Sequence, residues 1–378
     1  MKYFLIAGEA SGDLHGSRLI EAIKHHDTEA TFVFLGGDAM AQAAGTQPVI
    51  HYREMAYMGF WQVIKHLSSV FTNLKTASKT LTEQKPDALI LIDYPSFNLR
   101  MAARAFKAGV PVYYYIPPKV WAWKEWRVKK IKRLVNKLFA IFPFEVDFYR
   151  SHGMEVQYVG NPSVTEVAAA QELVPPLHDF LNMHKLRDRP IVALLPGSRK
   201  AEIKKNLKIM CRVMKRFPQY RGVVAGAPAI EDEFYAQCTD LPVVRDATIA
   251  LLTHARAALV TSGTATLETA LTAIPQVVMY RANGSKLSYE IMKRVLKVKF
   301  VSLPNLVCDR QIVPEMLLHE CNVDNVSQAL SPLLRFTPIR EAQELGYKEL
   351  KHILGSRNAA ETTAEAIVND LKKMFDET

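Results

Sequence analysis

Apolar residues recur along this chain in two patterns: short unbroken runs, and longer stretches in which they return every three or four positions. The runs predict strands buried on both faces, and the stretches predict amphipathic helices. In the first half, runs at 3–7, 31–35, 88–92, 112–116, 138–142 and 156–159 alternate with helical stretches, one from about Leu14 and one over 61–81. The latter has a core face of Val63, Ile64, Leu67, Val70, Phe71 and Leu74. Periodicity fades between Asn161-Pro162 and Arg189-Pro190, with Pro175-Pro176 in the middle, which places a domain link there. A second alternation follows, with strands at 191–195, 222–225, 258–260 and 276–279. After Pro314 the pattern turns helical, and 359–375 reads as an amphipathic helix that packs back on the first half. The expected class is α/β: a doubly wound, Rossmann-like domain over 1–164, a linker region over 165–189, a second Rossmann-like domain over 190–350, and a C-terminal helix within 351–378.

The length of 378 residues agrees with two domains, being too great for one ordinary core. Few apolar residues precede Glu9 and Asp13, too few for the core of a secretory signal, and no later run has the length of a membrane span. The chain is therefore expected in the cytoplasm. Cys211, Cys238, Cys308 and Cys321 form no C-x-x-C pair and have no histidine at ligand spacing. Buried thiols are expected, with neither a disulfide framework nor a metal site. The net charge of +10 calls for an anionic partner, whether nucleic acid, phospholipid or a phosphorylated substrate.

Polar residues at strand ends mark the candidate chemistry. The first run leads into a glycine-bracketed turn with Glu9, Ser11 and Asp13 at the carboxyl edge, where open α/β sheets bind ligands. The spacing matches neither the dinucleotide fingerprint nor the P-loop, and helix capping by Ser11 or Asp13 is the alternative. Run 88–92 ends in Asp93, and Pro95 stops the strand; Ser96 can cap the next helix, which leaves Asp93 as a candidate general base. His15, in the first turn of the opening helix, is the second candidate, although a surface or capping histidine is the commoner outcome. In the second half, Leu194 to Arg199 and Thr261 to Glu268 repeat strand, glycine turn and helix. Free amides at Ser262, Gly263, Thr264 and Ala265 suit a diphosphate, and Arg199 suits a cationic clamp. With Thr264 as N-cap the capping-box position is Leu267, so Glu268 is left to accept from ribose hydroxyls. A favourable first-turn charge for Glu268 and a solvated arginine at 199 are the plain alternatives.

Within 121–138, Val128, Ile131, Leu134, Val135 and Leu138 share one helical face, while Lys129, Lys130, Lys132, Arg133 and Lys137 share the other with Trp126. A basic face carrying tryptophan suits a membrane interface; nucleic acid competes without a recognised motif, and a solvated helix is the plain alternative. Upstream, the apolar run 55–61, with Met58, Phe60 and Trp61, precedes a helix whose core face is already complete, so the run is expected to be exposed.

Gly8-Glu-Ala-Ser-Gly-Asp13, Ile92-Asp93 with Pro95 and Phe97-Asn98, Val120-Trp-Ala-Trp123, Leu195-Pro-Gly-Ser-Arg199, Ser262-Gly-Thr-Ala265 with Glu268, and Ser302-Leu-Pro-Asn305 together resemble the bacterial lipid-A-disaccharide synthases. The resemblance spans nearly the whole chain. It implies a GT-B fold, two Rossmann-like domains facing across a cleft, and an inverting glycosyltransferase without an essential metal or cofactor. The implied reaction joins UDP-2,3-diacylglucosamine to 2,3-diacylglucosamine 1-phosphate, giving a β-1',6 link and UDP. By resemblance Glu268 and Asn305 belong to the nucleotide site with Arg199 and the 262–264 turn, and Glu9, Ser11 and Asp13 to the acceptor side. Some relatives carry a second acid where this chain has Ser96, so a two-carboxylate mechanism is not expected. Because both substrates carry acyl chains, peripheral attachment to the cytoplasmic face of the inner membrane is expected through Met58, Phe60, Trp61, Lys129, Lys130 and Arg133, with no nucleic-acid partner. A homodimer and an exchanged C-terminal helix stay open. The competing readings are another UDP-sugar transferase or epimerase on the same architecture, separable by lipid dependence, and a basic nucleic-acid-binding protein, separable by salt-dependent binding without UDP.

Overall fold

Each apolar run expected as a central strand becomes one because both of its faces are covered. In the computed structural model, which describes residues 1–55, 67–281 and 299–377, the chain divides into two units, Met1–Pro162 with Ser356–Thr378, and Ser163–Gly355. The strands of the first unit are β1 (Lys2–Ala7), β2 (Thr31–Gly36), β3 (Ile50–His51), β4 (Ala88–Ile92), β5 (Val112–Tyr115), β6 (Lys137–Ala140) and β7 (Gln157–Tyr158). They form a parallel sheet in the order β3-β2-β1-β4-β5-β6-β7. Alternate residues feed opposite cores: Phe4, Ile6, Leu89 and Leu91 enter one, and Leu5, Ala7, Ile90 and Ile92 the other.

In the second unit β8 (Ile191–Leu195), β9 (Arg221–Gly226), β10 (Val243–Arg245), β11 (Ala255–Thr261), β12 (Gln276–Tyr280) and β13 (Glu315–Leu317) pair in parallel in the order β10-β9-β8-β11-β12-β13. In both sheets the strand order reverses beside the first strand, between β1 and β4 and between β8 and β11. Those reversals are the topological switch points at which α/β sheets bind ligands.

Several local expectations differ from what forms. Short β3, β10 and β13 carry too few apolar residues to announce themselves. Residues 165–189, expected as a linker, hold the helices Pro162–Glu172 and Leu177–Met183, and Phe180 and Leu181 of the latter enter the second unit's core. The opening helix spans Ala10–His26, starting before Leu14, because the Asp13 amide donates to the Glu9 carbonyl and closes a first turn. Phe71, placed on the core face of the helix Leu67–Gln84, is 63% exposed, whereas Leu74 is buried. Of the cysteines only Cys321 is buried.

The C-terminal helix Ala359–Asp376 lies on the opening helix, with Ile367, Val368 and Leu371 in the same core as Leu19 and Ile23. Polar contacts fix its register. Glu361 meets His26 at 2.8 Å, and Asp370 accepts from the Tyr113 hydroxyl at 2.8 Å and pairs with Lys137.

The helix Pro143–Ser151 starts with proline in its first turn and is capped by its own third residue. Glu145 accepts from the amides of Ile141 and Phe142, each at 3.1 Å, and from the Trp121 indole at 3.1 Å. It is 1% exposed. Burial pushes its pKa from 4.5 to about 7, against the lowering effect of these donors and of Lys119. A carboxyl raised in the folded state binds its proton more tightly there than when unfolded. Its stabilising contribution is complete below the unfolded value and is lost as pH rises through about 7. Thermal unfolding of wild type and Glu145→Gln at pH 5 and pH 8 should show the balance moving toward the variant at the higher pH, by roughly 3 kcal/mol at most. A pH-independent difference would contradict this.

Candidate functional site at the carboxyl edges of the two sheets

In the first unit, β1 and β4 end side by side, with Ala7 paired to Ile92. The turns that follow therefore bring Glu9 and Asp93 to the same stretch of sheet edge. Asp93 and Tyr94 both adopt left-handed backbone, with φ of 42° and 45°, a conformation that non-glycine residues hold only when surroundings impose it. Buried Asn98 donates to the carbonyls of Asp93 at 2.7 Å and Ile92 at 3.2 Å, and the Tyr114 hydroxyl donates to the Asp93 carbonyl at 2.6 Å. The Asp93 amide donates in turn to Ile116 at 3.2 Å. With its main chain held by these bonds, the Asp93 side chain stays open to solvent. Surrounding protein still removes enough water to raise its pKa, opposed by the Lys119 charge, the Tyr94 amide and His15.

The helix after Asp93 is Pro95–Lys107 with Tyr94 at its N-cap, so Ser96 sits inside the first turn and does not cap it. The Tyr94 ring lies where a side chain on Gly8 would be, 2.3 Å from an ideal Cβ, which explains the glycine there. Ser11 is exposed in the opening helix, and His15 is half-buried in its second turn. Asp13 is turned inward: its carboxylate accepts from the amides of Gly37, Ala39 and Met40 at 2.6, 3.1 and 3.2 Å and caps the helix Asp38–Ala44. Capping thus holds for Asp13, but of a neighbouring helix.

In the second unit, β8 and β11 end together, with Leu195 paired to Val260. Buried Asn206 ties their turns, donating to the Pro196 carbonyl at 3.3 Å and the Thr261 hydroxyl at 2.9 Å. Gly197 and Gly263 have φ of 114° and 150°, which glycine alone adopts freely. The helix Thr264–Leu271 takes Gly263, not Thr264, as N-cap. Ser262 also departs from expectation, since its amide donates to the Met279 carbonyl at 2.9 Å. The Thr266 amide is bonded as well, to the Gly263 carbonyl at 3.1 Å, so the amides of Gly263, Thr264 and Ala265 are the ones left at the head of the helix for the expected role. Glu268 lies in the second turn, half-buried, and its pKa is raised by burial and by Glu166. Arg199 is exposed at the head of Lys200–Met214, near Glu202 at 3.5 Å.

Asn305 is wholly enclosed. Its amide donates to Val313 and Glu315 at 2.9 and 2.8 Å, and its oxygen accepts from Ile312 and Val313. Glu315, at the start of β13, also accepts from the Ser302 amide and hydroxyl at 2.9 and 2.6 Å, and the Ser262 hydroxyl donates to the Val301 carbonyl at 3.3 Å. Asn305 and Glu315 thus fasten the 301–305 turn beside the 262–264 turn. Nothing in the local pattern at Glu315 marks it, because its partners lie ten or more residues away, whereas Glu145 carries a local signal as the third residue of a helix that opens on Pro143, bonding amides three and four residues before it. Among the described residues no cluster of metal-binding side chains forms.

The basic helix is shorter than expected, Val128–Leu134, and β6 begins at Lys137. Val128, Ile131 and Leu134 are buried, while Trp126, Lys129, Lys132 and Arg133 are exposed and Lys130 is half-buried. Lys137 leaves that face for its pair with Asp370. Met55 is buried, with its carbonyl bound by the Tyr94 hydroxyl at 2.8 Å; Met58, Phe60 and Trp61 lie outside the described residues. Among the described residues no helix is long and apolar enough to cross a membrane.

A family model described as lipid-A-disaccharide synthetase matches residues 3–368. The lipid-A-disaccharide synthase of Myxococcus xanthus is 36% identical over 376 residues, covering 97% of each chain, and that of Acidobacterium capsulatum is 36% identical, covering 92% of this chain and 90% of its own. Among solved structures, a UDP-GlcNAc 2-epimerase from Neisseria meningitidis bound to UDP-GlcNAc aligns with a TM-score of 0.61 at 13% identity, covering 99% of this chain and 100% of its own. MurG from Acinetobacter baumannii aligns at 0.55 and 11%, covering 99% of each. At such identities the structures establish the fold, GT-B, and nothing finer. The sequence relatives and a family model spanning almost the full length establish more: this chain belongs to the lipid-A-disaccharide synthase family.

Proposed function

We propose that the chain joins UDP-2,3-diacylglucosamine to 2,3-diacylglucosamine 1-phosphate by one inverting displacement, with Asp93 as general base. The observation that carries the assignment is the Asp93 carboxylate, held by its main chain at the β1/β4 switch point and left open to solvent. In the proposed step the acceptor hydroxyl gives its proton to Asp93, its oxygen bonds to the anomeric carbon, and the bond from that carbon to the diphosphate breaks, releasing UDP. A carboxylate whose pKa is raised by lost hydration is the stronger base. Glu9 and Ser11 share the acceptor side, and Asp13 supports it through the Gly37 turn.

For the leaving diphosphate, the first-turn amides after Gly263 and the Arg199 guanidinium supply positive charge, and Glu268 accepts from ribose hydroxyls. Asn305 serves this site by fastening the turn beside Ser262. The epimerase alternative draws on the same fold, but the family relationship favours transfer.

Asp93→Asn keeps the shape and removes the basic oxygen, so turnover should fall by about two to four orders of magnitude with UDP affinity nearly intact. A wild-type rate in folded Asp93→Asn would transfer the role to His15. Glu268→Ala should weaken UDP binding by about ten- to a hundredfold, the value of a hydrogen bond to a charged group, as read by calorimetry. Unchanged affinity would remove Glu268 from the site.

The proposed location is the cytoplasmic face of the inner membrane, held by Met58, Phe60 and Trp61 with the face of Lys129, Lys130 and Arg133. Each basic residue near an anionic surface is worth about 1 kcal/mol, and each buried large apolar side chain about 1.5–3 kcal/mol. Wild type should sediment with anionic liposomes at low salt and in part at high salt, and a Met58→Ser, Phe60→Ser, Trp61→Ser variant should lose the salt-resistant part. Equal sedimentation of both proteins under every condition would exclude the apolar run from attachment.

A further inference from the structure

The turn between β5 and the basic helix is assembled from short pieces: left-handed Ile116, the four-residue helix Val120–Trp123 and a 3-10 turn over Glu125–Arg127. Pieces this short do not hold their own geometry and need outside anchors. One anchor is buried Val120; another is Trp121, whose ring meets Phe144 edge-on at 5.0 Å and whose indole donates to Glu145.

The division of labour on Glu145 is informative. Its Oε2 accepts both capping amides, from Ile141 and Phe142, while Oε1 accepts the Trp121 indole. A glutamine could cap with its single oxygen, yet would turn its amino group toward the indole, placing donor against donor. A buried carboxylate, despite its desolvation cost, is the side chain that satisfies both ends. Lys119 lies in this turn and acts electrostatically on both Glu145 and Asp93; Tyr149 and Tyr158 are the other titratable groups facing Glu145.

We propose that Glu145 and Trp121 act together as positioning residues, holding the 119–123 turn so that the Lys119 ammonium faces Asp93. This rests on the reading of Asp93 as the base. The turn is within reach because β5 runs beside β4, with Tyr115 paired to Ile92, and the Asp93 amide donates to the Ile116 carbonyl. Lys119 then stabilises the ionised base, and its placement depends on a bond formed on the far side of the turn.

The test uses the full-length protein with Trp121→Phe, which keeps a ring against Phe144, Glu145→Gln, which keeps the capping oxygen, their double variant, and Lys119→Met. On the acid limb of the kcat profile each positioning variant should lower kcat roughly three- to tenfold, with KM for the UDP-sugar within about twofold and the loss shrinking toward pH 8. The double variant should be no slower than the slower single one, because both remove the same bond. Lys119→Met should move the acid limb of kcat to higher pH, as should both positioning variants. A wild-type rate on that limb in Trp121→Phe, or losses that multiply in the double variant, would overturn the proposal. Asp93→Asn in parallel separates the failures. A wild-type rate there overturns the base assignment, whereas slow Asp93→Asn beside unaffected Trp121→Phe overturns the positioning role alone.

Discussion

The constraint on which the first unit's candidate site depends is the backbone of Asp93 and Tyr94, two adjacent non-glycine residues held in left-handed conformation. Each such residue costs on the order of 1–3 kcal/mol and persists only where its surroundings over-determine it. Here Asn98 from the following helix and Tyr114 from β5 bind the Asp93 carbonyl, and Gly8 leaves room for the Tyr94 ring. A main chain that turns this sharply at the end of a buried strand leaves the carboxylate facing out while everything beneath it is packed. The strain and the open acid are two sides of one geometry.

The second unit solves a different problem with the same economy. Its glycine turns are supported from behind: Asn206 joins the β8 and β11 turns, and Glu315 with Asn305 fastens the 301–305 turn next to them. Asn305 and Glu315 take their partners from turn amides, a hydroxyl and a carbonyl, as enclosure in a low-dielectric interior favours, whereas Asn206 uses only its amino group and its buried oxygen has no hydrogen-bond partner among the described residues. The same motifs thus contain residues of two kinds. Asp93, Arg199 and Ser11 are exposed, whereas Asp13 and Asn305 spend their hydrogen bonds inside.

That distinction shows what was legible in the sequence. The central strands and their alternation with helices follow from unbroken apolar runs, and 88–92 and 191–195 coincide with β4 and β8. The positions of the glycine turns and Asp93 follow from those strand ends. Which polar residues face outward does not, because it depends on partners far along the chain: Asp13 finds Gly37, and Glu315 finds Ser302. The basic segment misled for a related reason. Its helical wheel continues through Leu138, but β6 pairs with β5 from Lys137 onward, and sheet formation overrides local periodicity. Short β3, β10 and β13 are likewise set by neighbouring strands and carry little signal of their own.

Membership of the lipid-A-disaccharide synthase family makes this chain a transferase that joins a sugar to a second lipid-bearing sugar, with inversion. Incubating the protein with UDP-2,3-diacylglucosamine and 2,3-diacylglucosamine 1-phosphate, then identifying products by mass spectrometry and the new linkage by proton NMR, examines that reaction directly. A β-linked disaccharide 1-phosphate and UDP should form in equal amounts. An α linkage, an epimerised UDP-sugar, or free sugar with UDP and no disaccharide would contradict it.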